Sequence, residues 1–176
     1  MFRGWTAIRV VIVAVLTALI TVLTLVVRVP MAPTRGYIHL GDVGVYFAAF
    51  AFGPAFAGIA GGLGTGLADA LGGYAHWAPL SFLIHGCQGL VAAYIGYRAG
   101  LLRQLLGWLA GSIIMVGGYF LAEVVLYGVG AALTEIPGNS IQAAVGALVA
   151  IPLAVAIRRA WPPIDFLGQR PAWRER

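Results

Sequence analysis

Among long apolar runs, a few polar side chains recur at helical spacing. Ser81, His85 and Gln88 fall at i, i+4 and i+7; Tyr119, Glu123 and Tyr127 fall at i, i+4 and i+8. Each set lies along one face of a helix. Thr65 and Asp69 are four apart, Asp42 stands at the head of another apolar run, and Asn139 and Gln142 open a later one. Carboxyls, amides, an imidazole and phenols offer donors and acceptors for a small polar molecule. At membrane depth such groups are costly unless they face a cavity or a partner. Tyr37 and His39 in GYIHLGDVGVY, and Tyr74, His76 and Trp77 in YAHW, would add aromatic walls from the connecting loops.

Each residue also has a plainer role. Asp42 could cap a helix, Asn139 could cap the next after Pro-Gly, and Asp69 could sit wetted at a helix end. His85, Gln88 and Gln142 could stitch helices together, and Trp77 and Tyr74 could be interfacial belt residues. Glu123 resists this treatment. It lies mid-helix in GGYFLAEVVLYG with no Arg near in sequence, so it needs a partner or a proton. The three His lack the i, i+4 spacing with Glu of a metalloprotease helix, and neither GxSxG nor GxxxxGK[ST] occurs. No metal, cofactor or catalytic constellation is expected.

The elements that must hold these groups are membrane helices. The chain is 61% hydrophobic and only 10% charged, against roughly a quarter charged in soluble domains. Six spans are expected, near 6–28, 43–54, 55–72, 79–97, 105–133 and 140–158, the second and third being split at Gly53-Pro54. The fold class is therefore an all-α integral membrane protein with six helices in one bundle over 1–160. A basic tail over 161–176 would lie against the cytoplasmic surface.

All eleven cations are Arg. In the six-span arrangement Arg3, Arg9, Arg98, Arg103, Arg158, Arg159, Arg170, Arg174 and Arg176 share one side, and only Arg28 and Arg35 the other. The positive-inside rule then puts both termini in the cytoplasm and the 29–42, 73–78 and 134–139 loops outside. The basic balance reports topology and anionic lipid, not nucleic acid. Cys87 is expected simply to pack. Gly58, Gly62 and Gly66 form two GxxxG steps suited to close packing inside the bundle, and Ala14 and Ala18 form a further small-xxx-small step.

Taken in order, GYIHLGD, FGPAFAGIAGGLGTGLADALGGY, YFLAEVVLYG and IPGNSIQAAVGALVAIPL resemble the substrate-binding S components of energy-coupling factor (ECF) transporters over about residues 8–158. The similarity is nearest to the vitamin-precursor branch with hydroxymethylpyrimidine and pyridoxine carriers, often given a riboflavin-type description. It implies a prokaryotic plasma-membrane protein that binds a vitamin-like heterocycle from outside, under the loop joining the first two helices. It gives Tyr37, His39 and Asp42 a role in meeting the ligand or holding that loop shut; with the polar residues picked out above, the candidate substrate residues are Tyr37, His39, Asp42, Asp69, Trp77, His85, Gln88, Tyr119, Glu123, Asn139 and Gln142. It further implies docking on a membrane coupling protein through Ala14 and Ala18, with ATP hydrolysed by two separate ATPase subunits. Three other readings compete: a stand-alone proton-coupled carrier using Glu123 and Asp69, a membrane enzyme acting on a lipid or quinone, and a structural subunit. The sequence does not identify the ligand; pyrimidine and pyridine vitamins, purines and deazapurines all suit such a pocket.

Overall fold

A computed structural model describes residues 7–167. The expectations for Arg3, Arg170, Arg174, Arg176 and most of the basic tail lie outside the described residues. Helix α1 (Ala7–Val26) leads into a two-stranded hairpin, β1 (Arg28–Met31) and β2 (Gly36–His39). Then come α2 (Gly41–Phe52), α3 (Pro54–Gly72), α4 (Ala78–Gly96), α5 (Leu101–Tyr127), α6 (Val129–Ala160) and the short α7 (Ile164–Leu167).

The centre of the bundle is α2. Ten of its twelve residues are buried, including Val45, Tyr46 and Phe50, because α1, α3, α4 and α6 all pack around it. A helix of this length is too short to cross a bilayer alone. It turns into α3 at Gly53, whose φ of 97° lies in the left-handed region that glycine enters without strain. Pro54 then occupies the first position of α3, where a missing N–H costs nothing. Four helices, α1, α4, α5 and α6, are long and apolar enough to span a membrane. Their outward faces carry bare aliphatic side chains such as Val15, Leu102, Val125 and Leu148. Apolar exposure on that scale is expected of a surface solvated by lipid rather than water. The protein is thus a helical membrane bundle.

The GxxxG steps serve α3–α4 packing. A side chain at Gly62 would stand 2.6 Å from the Phe82 carbonyl oxygen, and one at Gly66 3.1 Å from that of Ala78. Without side chains at these positions the two backbones approach to carbonyl contact.

Three sequence expectations need correction. The 29–42 loop contains an antiparallel hairpin, with Arg28 opposite His39 and Met31 opposite Gly36. Four-residue strands carry little pattern of their own. The 134–139 segment is not a loop, and the fifth helix does not run to 133. The break falls at Gly128, φ 88°, and α6 continues from Val129 straight through Pro137. Pro137-Gly138 locally favours a turn, but helices in membranes tolerate an interior proline. Asn139 is accordingly no cap: it sits buried inside α6. Cys87 is exposed on α4 rather than packed into the bundle.

Candidate ligand site

The polar groups lie in two layers. The deeper is centred on Asp42, fully buried in the first turn of α2. It caps nothing; Leu40 holds the cap position. One carboxylate oxygen accepts from the Gln88 amide on α4 at 2.9 Å, and the other from the Gln142 amide on α6 at 3.2 Å. The Nδ1 of His85 lies 3.3 Å from the Asp42 carboxylate and 2.6 Å from the Gln88 carbonyl oxygen. Both neighbours are acceptors, so the ring proton belongs on Nδ1. That leaves His85 Nε2 buried without a partner. The Gln142 carbonyl oxygen accepts from the His39 backbone N–H at 2.8 Å. One carboxylate thereby ties α2, α4 and α6 together and, through Gln142, anchors the end of the hairpin.

Above this layer the hairpin lies across the helix ends and covers a cavity of about 30 Å³, room for a water or two. Its walls include eight of the eleven residues singled out from sequence: Tyr37, His39, Asp69, Trp77, Tyr119, Glu123, Asn139 and Gln142. Asp42, His85 and Gln88 do not line it; they form the layer beneath. Ala14 and Ala18 do not line it either; both are exposed on α1.

Two side-chain bonds hold the hairpin down. The Tyr37 hydroxyl donates to Asp69 on α3 at 2.5 Å, and Thr34 in the turn donates to Glu135 on α6 at 2.5 Å. Gly138 helps, since a side chain there would run into Ile38 of β2. On the opposite wall Ser81 pairs with the Tyr119 hydroxyl at 2.6 Å, and Trp77 packs against Tyr119 with ring centroids 5.7 Å apart. Burial pushes the Tyr37 hydroxyl above its ordinary range and holds His39 well below the usual imidazole range, with nearby His85 acting in the same direction on His39. His39 is therefore neutral. Its Nδ1 accepts from the Gly41 N–H at 3.0 Å.

Glu135, Ser81 and Thr34 escaped selection from sequence. Ser81 shares the α4 face of His85 and Gln88. Glu135, Asn139 and Gln142 follow i, i+4, i+7, the same signal that marked α4, but it was hidden by reading 134–139 as loop. Thr34 carried no signal, because its role depends on the hairpin.

Residues 4–159 match the family model described as ECF-type riboflavin transporter, S component. The chain belongs to that family. This S component is 36% identical over 146 residues to a Pyrococcus woesei protein described as an uncharacterized protein in a gap 3′ region, covering 82% of this chain and 98% of that one. It is 37% identical over 150 residues to the thiamine precursor transporter HmpT of Lactococcus lactis subsp. cremoris, covering 84% and 86% respectively. It is an integral membrane subunit of a vitamin-type transport system, and no enzyme.

Replacing Asp42 by Ala removes the acceptor for two buried amides. Each stranded donor costs about 1–3 kcal/mol. Asp42→Ala is expected to lower the thermal midpoint in detergent sharply, with Asp42→Asn intermediate because one acceptor oxygen remains. An unchanged midpoint in Asp42→Ala would show that the network does not hold the helices.

His39 yields a pH signature. In the unfolded chain its imidazole takes up a proton below about pH 6.5, whereas the folded state refuses it. Below that pH the unfolded state binds more protons, so stability falls as pH drops. The midpoint of the wild type is expected to fall more steeply between pH 7 and 5 than that of His39→Asn, whose side-chain oxygen can replace Nδ1 as acceptor. Parallel pH curves for the two proteins would contradict a neutral, buried His39.

Proposed function

We propose that this S component captures a water-soluble vitamin precursor, a flat heterocycle of the hydroxymethylpyrimidine or pyridoxine kind, from the outer side of the membrane. On this reading it delivers the ligand through a membrane coupling protein driven by two separate ATPase subunits. The observation that carries it is the cavity under the hairpin. Carboxyls, amides and aromatic rings converge there in a chain of this family, and HmpT, at 37% identity, is named for a thiamine precursor. Hydrogen-bonding edges and stackable faces are what a planar heterocycle presents. The proposed contacts are Tyr37, His39, Asp69, Trp77, Tyr119, Glu123, Asn139 and Gln142, with Asp42, His85 and Gln88 supporting them from below. Six spans with both termini cytoplasmic suit the distribution of Arg and place the hairpin outside.

A small-molecule site usually needs about 300 Å³ or more, ten times the space now open. Ligand entry therefore requires the hairpin to lift or the aromatic side chains to swing. Lifting breaks the Tyr37–Asp69 and Thr34–Glu135 bonds.

The test is mass spectrometry of small molecules released by denaturing the detergent-purified protein. One heterocycle in stoichiometric amount is expected from the wild type. Its occupancy is expected to fall at least tenfold in Glu123→Ala and in Asp69→Ala, with both variants still folded. Undiminished occupancy in both would remove the cavity as the binding site.

Ala14 and Ala18 present a shallow stripe on the exposed face of α1, where another helix can approach closely. Ala14→Leu or Ala18→Leu is expected to leave ligand occupancy unchanged and to abolish uptake in cells carrying the coupling module. Normal uptake by both variants would move the docking face elsewhere.

A further inference from the structure

The charges around the cavity do not balance. Asp69, Glu123 and Glu135 all line it, on three different helices, and among the described residues no Arg does. The basic side chain among its walls, His39, is held neutral by burial. Arg28 is engaged elsewhere: it donates to the Gly72 carbonyl at 3.1 Å and stands 5.9 Å from the Tyr37 ring centre. Below the cavity lies a fourth carboxylate, Asp42, already satisfied by Gln88, Gln142 and His85.

The bonding is also incomplete, and in a particular pattern. Glu123 is 3% exposed and one of its oxygens has no partner; Asp69 is 3% exposed, and its second oxygen, the one not taken by Tyr37, has none either. Trp77 is 3% exposed and its indole N–H is likewise unmatched. A buried unmatched polar atom costs about 1–3 kcal/mol, and a buried uncompensated charge costs more. Trp77 also packs edge-on against Tyr119 and at a tilt against Tyr127, at ring-centre distances of 5.7 and 6.0 Å. Aromatic faces beside carboxylates form a receptor for an organic cation. A metal ion fits poorly, since no cluster of three or more His, Cys, Asp or Glu with ligating geometry occurs among the described residues.

Building on the function proposed above, we propose that the cavity is specific for a positively charged ligand whose charge is spread over N–H donors, such as an amidinium or a protonated amino-heterocycle. Glu123 is its ion-pair partner, the open oxygen of Asp69 accepts a second N–H, and Trp77 donates to an acceptor atom on the ligand. A neutral ligand would leave three carboxyls around the cavity with no Arg among its described walls. A cation supplies what Glu123 and Asp69 lack, and the aromatic wall covers its face.

The test uses two probes of the same shape. Benzamidine is a cation at neutral pH and benzamide is not. Their affinities for the full-length protein, freed of co-purified ligand, are measured by titration calorimetry in detergent. Benzamidine is expected to bind at least tenfold more tightly than benzamide. Glu123→Gln, which preserves size, is expected to shrink that preference to less than threefold. Equal affinities in the wild type, or tight binding of neither probe, would overturn the proposal without recourse to any variant. So would an undiminished preference in folded Glu123→Gln. The transport reading fails separately: a neutral heterocycle recovered in stoichiometric amount, with equal probe affinities, keeps that reading and rejects only the cationic specificity.

Discussion

Everything in this molecule is arranged around one carboxylate that water does not reach. Asp42 stands in the first turn of a helix enclosed by four others, and its two oxygens are claimed by amides from opposite sides of the bundle. Removing a charged group from water is costly, and good hydrogen-bond geometry from every direction is what offsets it. Satisfying Asp42 therefore fixes where α4 and α6 stand relative to α2. Gln142 passes the constraint on: its amide serves Asp42, and its carbonyl oxygen holds the backbone at the end of the hairpin. The floor and the roof of the cavity are registered against each other through a single side chain.

The apolar frame is built on a different principle. Helices in lipid gain little by hiding aliphatic groups from one another, so close backbone approach and polar contacts do more of the work. The α3–α4 pair relies on small residues, with Gly62 against the Phe82 carbonyl. The α2, α4 and α6 trio relies on polar contacts. The two modes meet in α4, which packs on α3 at Gly62 and Gly66 and bonds Asp42 of α2 through Gln88.

Much of this was legible from residue type and spacing. Helical periodicity placed His85 with Gln88 and Tyr119 with Glu123 correctly, because a 3.6-residue repeat survives whatever the tertiary setting. It also pointed to Asp69, Tyr119 and Glu123 on the cavity wall, while Tyr37, His39 and Trp77 came from the loops between the apolar runs. What periodicity does not supply is depth. Asp42, His85 and Gln88 looked equivalent to the lining residues, yet they form the layer below, a distinction that depends on how far α2 sits inside the bundle. The hairpin was invisible because four-residue strands have almost no pattern, and Thr34 was lost with it. Glu135 was missed for the opposite reason: Pro137 and Gly138 spoke locally for a turn, and the membrane setting overrode them. Local punctuation is a weaker guide where water is not available to satisfy a broken helix.

The hairpin is fastened to two helices that stand apart, by Tyr37 to α3 and by Thr34 to α6. Releasing one fastening leaves the other in place, so the strap can pivot without coming free. On the proposed function, escape of a captured molecule would wait on both bonds being open together, a rarer event than either alone. Such a closure slows departure more than it strengthens contact, so the grip on a scarce nutrient would reside in its dwell time. Altering the hydroxyl of Thr34, which lies outside the proposed contacts, would then retune how long cargo is held while leaving the chemistry that recognises it intact.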